Sequence, residues 1–251
     1  MGDAELPFRI RIGITGHRAL GDPEKIVAAV RDALANRLWE LFDRPIPPKR
    51  RSVSLVFTVL TPLAEGADRL AAKEVLGTPG AEIEVLLPLE KEDYSRDFAG
   101  AESIAEFEEL SGKARRISVL RSRLDPSGAE RISAEEERKR AYEAVGRRVV
   151  DDCDVLVAVW DGKPSRGRGG TAEIVDYARG KKRPLIIISS EPPVRIALEK
   201  GEGLSARAYG KIAAFVRFPV PEERLRVYAE NVSKEIFSNP EGNTLSDRRK
   251  S

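Results

Sequence analysis

The sequence predicts an α/β protein built on a single doubly wound, mainly parallel sheet with helices on both faces. Three observations lead there. Apolar, strand-like runs alternate with amphipathic helical segments along the chain. The run from Val155 to Trp160 is unbroken and apolar, as expected of a strand buried on both faces of a parallel sheet. Glycine-rich loops follow the strands directly, at the carboxyl ends where such sheets bind ligands. The expected organisation is one domain over residues 1–238 and a flexible tail over 239–251.

Each element has a local reason. Residues 8–14 read as the first strand. A helix is expected over 23–42, with Asp22 as N-cap, Pro23 at its first position and an apolar stripe of Ile26, Val30, Leu34, Leu38 and Leu41. Residues 45–51 form a proline-rich basic loop, 53–60 a second strand and 66–76 a second helix. A third strand covers 83–89, a helical region with room for a break covers 94–114, and a short strand covers 117–120. Residues 124–132 read as an exposed loop or lid. A charged helix over 134–151 carries Arg138, Arg140, Arg147 and Arg148. After the Val155 strand come a helix starting at Thr171, a strand over 184–189 and an amphipathic helix over 222–237.

Composition narrows the function. Lys and Arg number 43 against 41 Asp and Glu, a net charge of +2, which argues against a general footprint on duplex DNA. The single cysteine, Cys153, can form no internal disulfide, and the single histidine, His17, leaves no partner for a histidine-based zinc site. No motif calls for a metal or a cofactor. No segment approaches the roughly 20 apolar residues of a membrane span. The first ten residues lack the apolar core of a secretion signal, so a cytoplasmic location without membrane attachment is expected.

The chemistry gathers at the strand ends. After the Val155 strand come Asp161, Gly162, Arg166, Gly167, Arg168, Gly169, Gly170 and Thr171, and a helix opens at Thr171. Glycines admit a ligand close to the backbone, free N–H groups and the helix dipole favour an anion, and the arginines add positive charge. That pattern suits a phosphate. The first strand ends in Gly13, Ile14, Thr15, Gly16, His17 and Arg18, which suit a phosphate or ribose contact or, equally, a tight turn with His17 on a neighbouring carbonyl. The second strand leads to Glu65, Gly66, Asp68 and Arg69. Glu65 can meet a ribose hydroxyl or act as a first-turn charge, and Asp68 and Arg69 can contact ligand or pair with each other. Tyr94 can stack on a base or pack. Arg140, Tyr142 and Arg147 are candidates to reach the pocket from the charged helix. Glu173 can bind ribose, serve as general acid or base, or simply favour the helix dipole.

These loops carry a resemblance. The segment 63–72, LAEGADRLAA, is similar to the Leu-Ala-x-Gly-Ile-Asp pattern of DNA-processing protein A. The segment 167–173, GRGGTAE, resembles the Pro-Gly-Gly-x-Gly-Thr-x-x-Glu loop of LOG-type (lonely-guy) phosphoribohydrolases. With Asp161-Gly162 ahead of it, it is also similar to a loop of nucleoside deoxyribosyltransferases. Residues 10–189 thus resemble the superfamily that joins LOG enzymes, DNA-processing protein A and SLOG nucleotide sensors. The resemblance implies a Rossmann-like fold, a phosphate loop at 167–171 and a homo-oligomer. It also implies an Arg on the preceding helix paired with a catalytic Glu, for which Arg147 or Arg148, and Glu173, stand nearest. The chain departs from the enzymes at that point. Ile174 holds the place of their catalytic Glu, and Glu173 falls one residue earlier, about 100° around the helix.

The leading expectation is a nucleotide-binding protein that recognises a nucleoside phosphate or a nucleotide-derived signal. An N-glycoside hydrolase releasing base from nucleoside monophosphates, with Glu173 and Arg147 catalytic, is the alternative. Single-stranded DNA binding ranks last, because aromatic residues are 6% of the chain and the net charge is small.

Overall fold

A computed structural model of the protein describes residues 8–41, 55–120, 133–165 and 168–202. The expected loop over 45–51, lid over 124–132, helix over 222–237 and tail over 239–251 lie outside them. The strands are β1 (Phe8–Gly16), β2 (Leu55–Thr61), β3 (Glu82–Leu87), β4 (Arg116–Val119), β5 (Val155–Trp160), β6 (Leu185–Ser189) and β7 (Ile196–Glu199). The helices are α1 (Pro23–Ala35), α2 (Ala67–Leu76), the short α3 (Lys91–Tyr94), α4 (Gly100–Gly112), α5 (Ala134–Asp152) and α6 (Thr171–Gly180).

The expected architecture is present. The seven strands form one sheet in the order β4-β3-β2-β1-β5-β6-β7, parallel except for β7. From β1 the chain winds outward through β2, β3 and β4 and then returns to β5 on the other side of β1. The strand order therefore reverses between β1 and β5, where Ile12 pairs with Val155 and Gly16 with Val159. A doubly wound sheet opens a crevice beyond its carboxyl ends at that point.

Alternation along the strands fills two cores. Ile10, Ile12 and Ile14 of β1 and Val155, Val157 and Val159 of β5 face the layer that contains Ile26 and Val30 of α1, Val75 of α2 and Phe107 of α4. Leu60 of β2, Leu156 of β5 and Leu185 of β6 face Val145 and Val149 of α5 and Ile174 of α6. Fully burying each such side chain contributes about 1.5–3 kcal/mol, so a polar replacement at any of these apolar positions is costly. Among the described residues, no helix is long and apolar enough to cross a membrane.

The structure changes two expectations, the end of the first helix and the last strand, and places the break for which the region 94–114 had room. The first helix ends at Ala35, where Asn36 closes it with its N–H on the Asp32 carbonyl and its amide on the Asp32 carboxylate, 2.7 Å away. A 3-10 helix over Arg37–Leu41 continues the buried stripe, so Leu38 and Leu41 are core residues on a different element. The helical region after β3 breaks into α3, a 3-10 turn over Ser95–Asp97, and α4. Strand β7 lacked a sequence signal long enough to mark it. Its four residues run antiparallel to β6 at the edge of the sheet.

Candidate functional site

A cavity of about 560 Å³ lies at the switch point. Its wall comes from the end of β1 and the loop after it (Thr15 to Ala19), Asp161 and Lys163 to Ser165 after β5, the start of α6 with the two glycines before it (Gly169 to Ala172), Asp68 of α2, and one face of α5. Of the site residues expected from sequence, Thr15, Gly16, His17, Arg18, Asp68, Asp161, Arg168, Gly169, Gly170 and Thr171 all border it. Arg166 and Gly167 lie outside the described residues.

The β1 loop is pinned through both backbone polar groups of His17. His17 N–H donates to the Val159 carbonyl at 3.0 Å, and the His17 carbonyl accepts the Ala67 N–H at 3.1 Å. The imidazole is held as well. Asp161 N–H donates to His17 Nε2 at 3.3 Å, and Asp161 Oδ1 lies 3.0 Å from the same nitrogen. The Lys163 N–H, and then His17, hold the Asp161 carboxyl down to about 2, so it is a carboxylate at neutral pH. Arg18 differs from the other cations of the wall. Its guanidinium makes one long hydrogen bond, 3.4 Å, to the Asp97 carbonyl, and has no carboxylate ion pair among the described residues.

Helix α6 presents its N-terminus to the cavity. Gly170 is the N-cap and supplies no side-chain acceptor. Thr171 is 9% exposed, and its hydroxyl makes no hydrogen bond among the described residues. The first-turn N–H groups of a helix have no intrahelical partner, so this end is a ready site for an anion. Gly169 holds a φ of +76°, and a Cβ there would come within 2.8 Å of the Glu143 backbone nitrogen, so only glycine lets the loop pass α5.

Several expected ligand contacts are occupied by the fold itself. Arg168 pairs with Glu136 and, at 3.1 Å, with Glu143, which ties the loop to α5 and spends its charge. Glu173 turns back on the loop: Oε2 accepts the Gly169 N–H at 2.7 Å, and Oε1 lies 3.7 Å from Arg147 Nη2. Arg147 also pairs with Glu143 at 2.6 Å and sits over the Tyr177 ring. Glu173 and Arg147 thus meet each other, but outside the cavity wall. Glu65 is not in the wall either. Its carboxylate accepts the Ala99 N–H at 2.6 Å and the Ser103 hydroxyl, which caps α4.

Gly13, Gly66 and Gly162 also fall outside the wall. Gly13 lets α5 approach β1, since a Cβ would meet Val149 Cγ1 at 2.8 Å. Gly66 is pressed on the β1 loop, and Gly162 bends the chain after Asp161. Asp68 and Arg69 do not pair on the surface: both are buried and point to different partners. Arg69 donates to the Leu63 carbonyl, to Ser103 and to Glu106, and lies 4.4 Å from the Phe98 ring centroid. Asp68 Oδ2 accepts from the Thr61 hydroxyl at 3.1 Å and the Ala64 N–H at 3.3 Å. Burial outweighs these bonds and pushes its carboxyl up to about 7. Tyr94 is fully buried among Phe98, Phe107 and Tyr142, so it packs and cannot stack on a ligand.

Helix α5 contributes more than expected. Lys139, Tyr142, Gly146 and Val149 follow one another at helical spacing and all face the cavity. That stripe was legible as a pattern, although the charge run around it masks it. Arg140 lies on the exposed face with Glu136. Arg138 grips Asp97 with two guanidinium nitrogens at 2.9 and 3.2 Å and reaches Asp93 at 3.2 Å, while the Tyr142 hydroxyl donates to Asp97. The pairs 93/97 and 138/142 are each one helical turn apart, and they lock α5 over the connection between β3 and α4. Trp160, Lys163 and Ser165 complete the wall from the segment after β5.

The chain matches no protein-family model and no curated protein sequence, so the geometry of this cavity carries the functional argument.

Proposed function

We propose that the protein binds a nucleoside phosphate, or a signal derived from one, in the cavity between the carboxyl ends of β1 and β5. The observation that carries this reading is the open N-terminus of α6. Its cap is a glycine without an acceptor, its first-turn N–H groups have no intrahelical partner, and Gly170 and Thr171 both border the cavity. Arg18 supplies a cation that makes no direct ion pair with a carboxylate among the described residues. Trp160 and Tyr142 add aromatic surface for a base. The 560 Å³ falls within the range of about 300–1,000 Å³ common for small-molecule sites.

The resemblance to SLOG sensors and LOG enzymes points to the same ligand class. Recognition is favoured over hydrolysis because Glu173, the residue nearest in sequence to a catalytic carboxylate, is engaged with Gly169 and Arg147. The test is calorimetric titration of the protein with nucleoside mono-, di- and triphosphates, NAD and cyclic nucleotides, each recovered afterwards by chromatography. Binding without turnover is expected. Gly170→Asp should reduce affinity at least ~10-fold, because an aspartate at the N-cap accepts the first-turn N–H groups in place of the ligand. A variant that bound as tightly as the parent would put the ligand elsewhere, and release of free base would make the protein an enzyme.

A further inference from the structure

Asp68 occupies a position that holding a phosphate does not by itself require. It borders the cavity, is 4% exposed and commits Oδ2 to Thr61 and Ala64. Oδ1 makes no hydrogen bond among the described residues. The charged and titratable groups that act on this carboxyl come from three directions. Arg18 lies in the loop after β1, and Arg69 follows in α2. Tyr94 faces it from α3, with a hydroxyl that makes no hydrogen bond. Arg69 is already committed to Leu63, Ser103 and Glu106. Arg18 is the one of these charges still free to turn toward a ligand, and it borders the same cavity.

We propose, on the reading that the cavity takes up a phosphate, that ligand and Asp68 compete for the Arg18 charge, so that an anion binds together with a proton. When the phosphate draws Arg18 to itself, the Asp68 carboxylate loses its compensating charge. It then takes one proton from solvent onto Oδ1 and becomes a neutral acid. No other bond changes. Burial already holds the carboxyl near neutrality, about 7, so a modest loss of positive charge completes the protonation. Affinity then falls as pH rises above 7, by up to ~10-fold per unit while a whole proton is exchanged. The site thus reads acidity together with ligand concentration.

The experiment is calorimetric titration with adenosine 5′-monophosphate at pH 8, where its phosphate is already the dianion, in buffers of different ionisation enthalpy. The dependence of the heat on buffer gives the protons taken up. About half a proton or more per ligand is expected for the parent, and none for Asp68→Asn, whose affinity should be nearly independent of pH between 7 and 9. Because His17 is the only histidine, its imidazole proton resonance shows independently whether it is the group that takes up the proton. Binding without proton uptake overturns this inference and leaves the binding site standing. Uptake that persists in Asp68→Asn, or that follows the His17 resonance, assigns the proton elsewhere and also overturns it. If neither the nucleotide nor sulfate binds, the phosphate reading fails and this inference with it. A far-ultraviolet spectrum like the parent's and a cooperative melting transition no lower than the parent's establish that Asp68→Asn is folded.

Discussion

Two helices of this protein start in the same way and end up doing different things. Both α2 and α6 follow a strand at the carboxyl edge of the sheet, and both have a glycine N-cap with no side-chain hydrogen bond. At α2 the start is closed. Gly66 has a φ of +80°, a Cβ on it would lie 2.1 Å from the Arg18 carbonyl oxygen, and the next N–H is spent on the His17 carbonyl. At α6 the start is open, with Gly170 and Thr171 on the cavity. A glycine before a helix therefore has two physical uses. One lets two backbones touch, and the other leaves a helix end open on a cavity. Resemblance to a phosphate-binding loop does not distinguish them, because each gives the same residue at the same position.

The largest effect that separates the two is on folding. Gly66→Ala should cost about 3 kcal/mol or more, since it combines a left-handed backbone with a collision against backbone that cannot move aside. Gly170→Asp adds a good N-cap to an open end and should leave the melting temperature within a few degrees of the parent. Thermal unfolding of the two variants side by side checks this, and equal destabilisation would erase the distinction.

Next in size is the buried carboxyl in the first turn of α2. Between the unfolded value of about 3.9 and the folded value of about 7, the folded protein keeps a proton that the unfolded chain has released. Stability attributable to Asp68 therefore falls as pH rises through that window, by at most about 4 kcal/mol above it. Asp68→Asn cannot ionise. It should melt above the parent at pH 8 and lose most of that advantage at pH 5. A difference that does not change with pH would mean that this carboxyl is not held up by burial.

The smallest effect concerns the brace on the open loop. Glu173→Gln replaces a charge-assisted bond to the Gly169 N–H with a neutral one and weakens the contact to Arg147. Nucleotide affinity should fall about fivefold or less, with little change in melting temperature. A loss as large as that of Gly170→Asp would instead place Glu173 in direct contact with the ligand, and the two helix starts would then differ by a side chain as well as by an open end.

Much of this was legible in the sequence because it follows from short-range chemistry. The unbroken apolar run 155–160, the Asp22-Pro23 start of α1 and the alternation of strand and helix each record a local or burial requirement, and together they lead to the doubly wound sheet. The loop 168–171 could be recognised because glycine, threonine and a helix start are neighbours in the chain. Side-chain partners could not. Arg168, Glu65 and Glu173 all look like ligand-facing groups when read along the chain, yet each turns to a protein partner: Arg168 to Glu136 and Glu143 of α5, Glu65 to the start of α4, and Glu173 to the glycine loop.

The sequence alone pointed to the strand ends that line the cavity and to a glycine ahead of each of two helix starts, since backbone conformation and helix capping depend on adjacent residues. Only the tertiary structure decided which of two glycine-capped helices stays open, and which charges near the cavity remain free. Those outcomes depend on distances across the sheet, such as Gly66 against the Arg18 backbone and Arg69 turned to Leu63, Ser103 and Glu106 rather than to Asp68. Electrostatic and packing energies are set by such distances in space, and separation along the chain does not encode them.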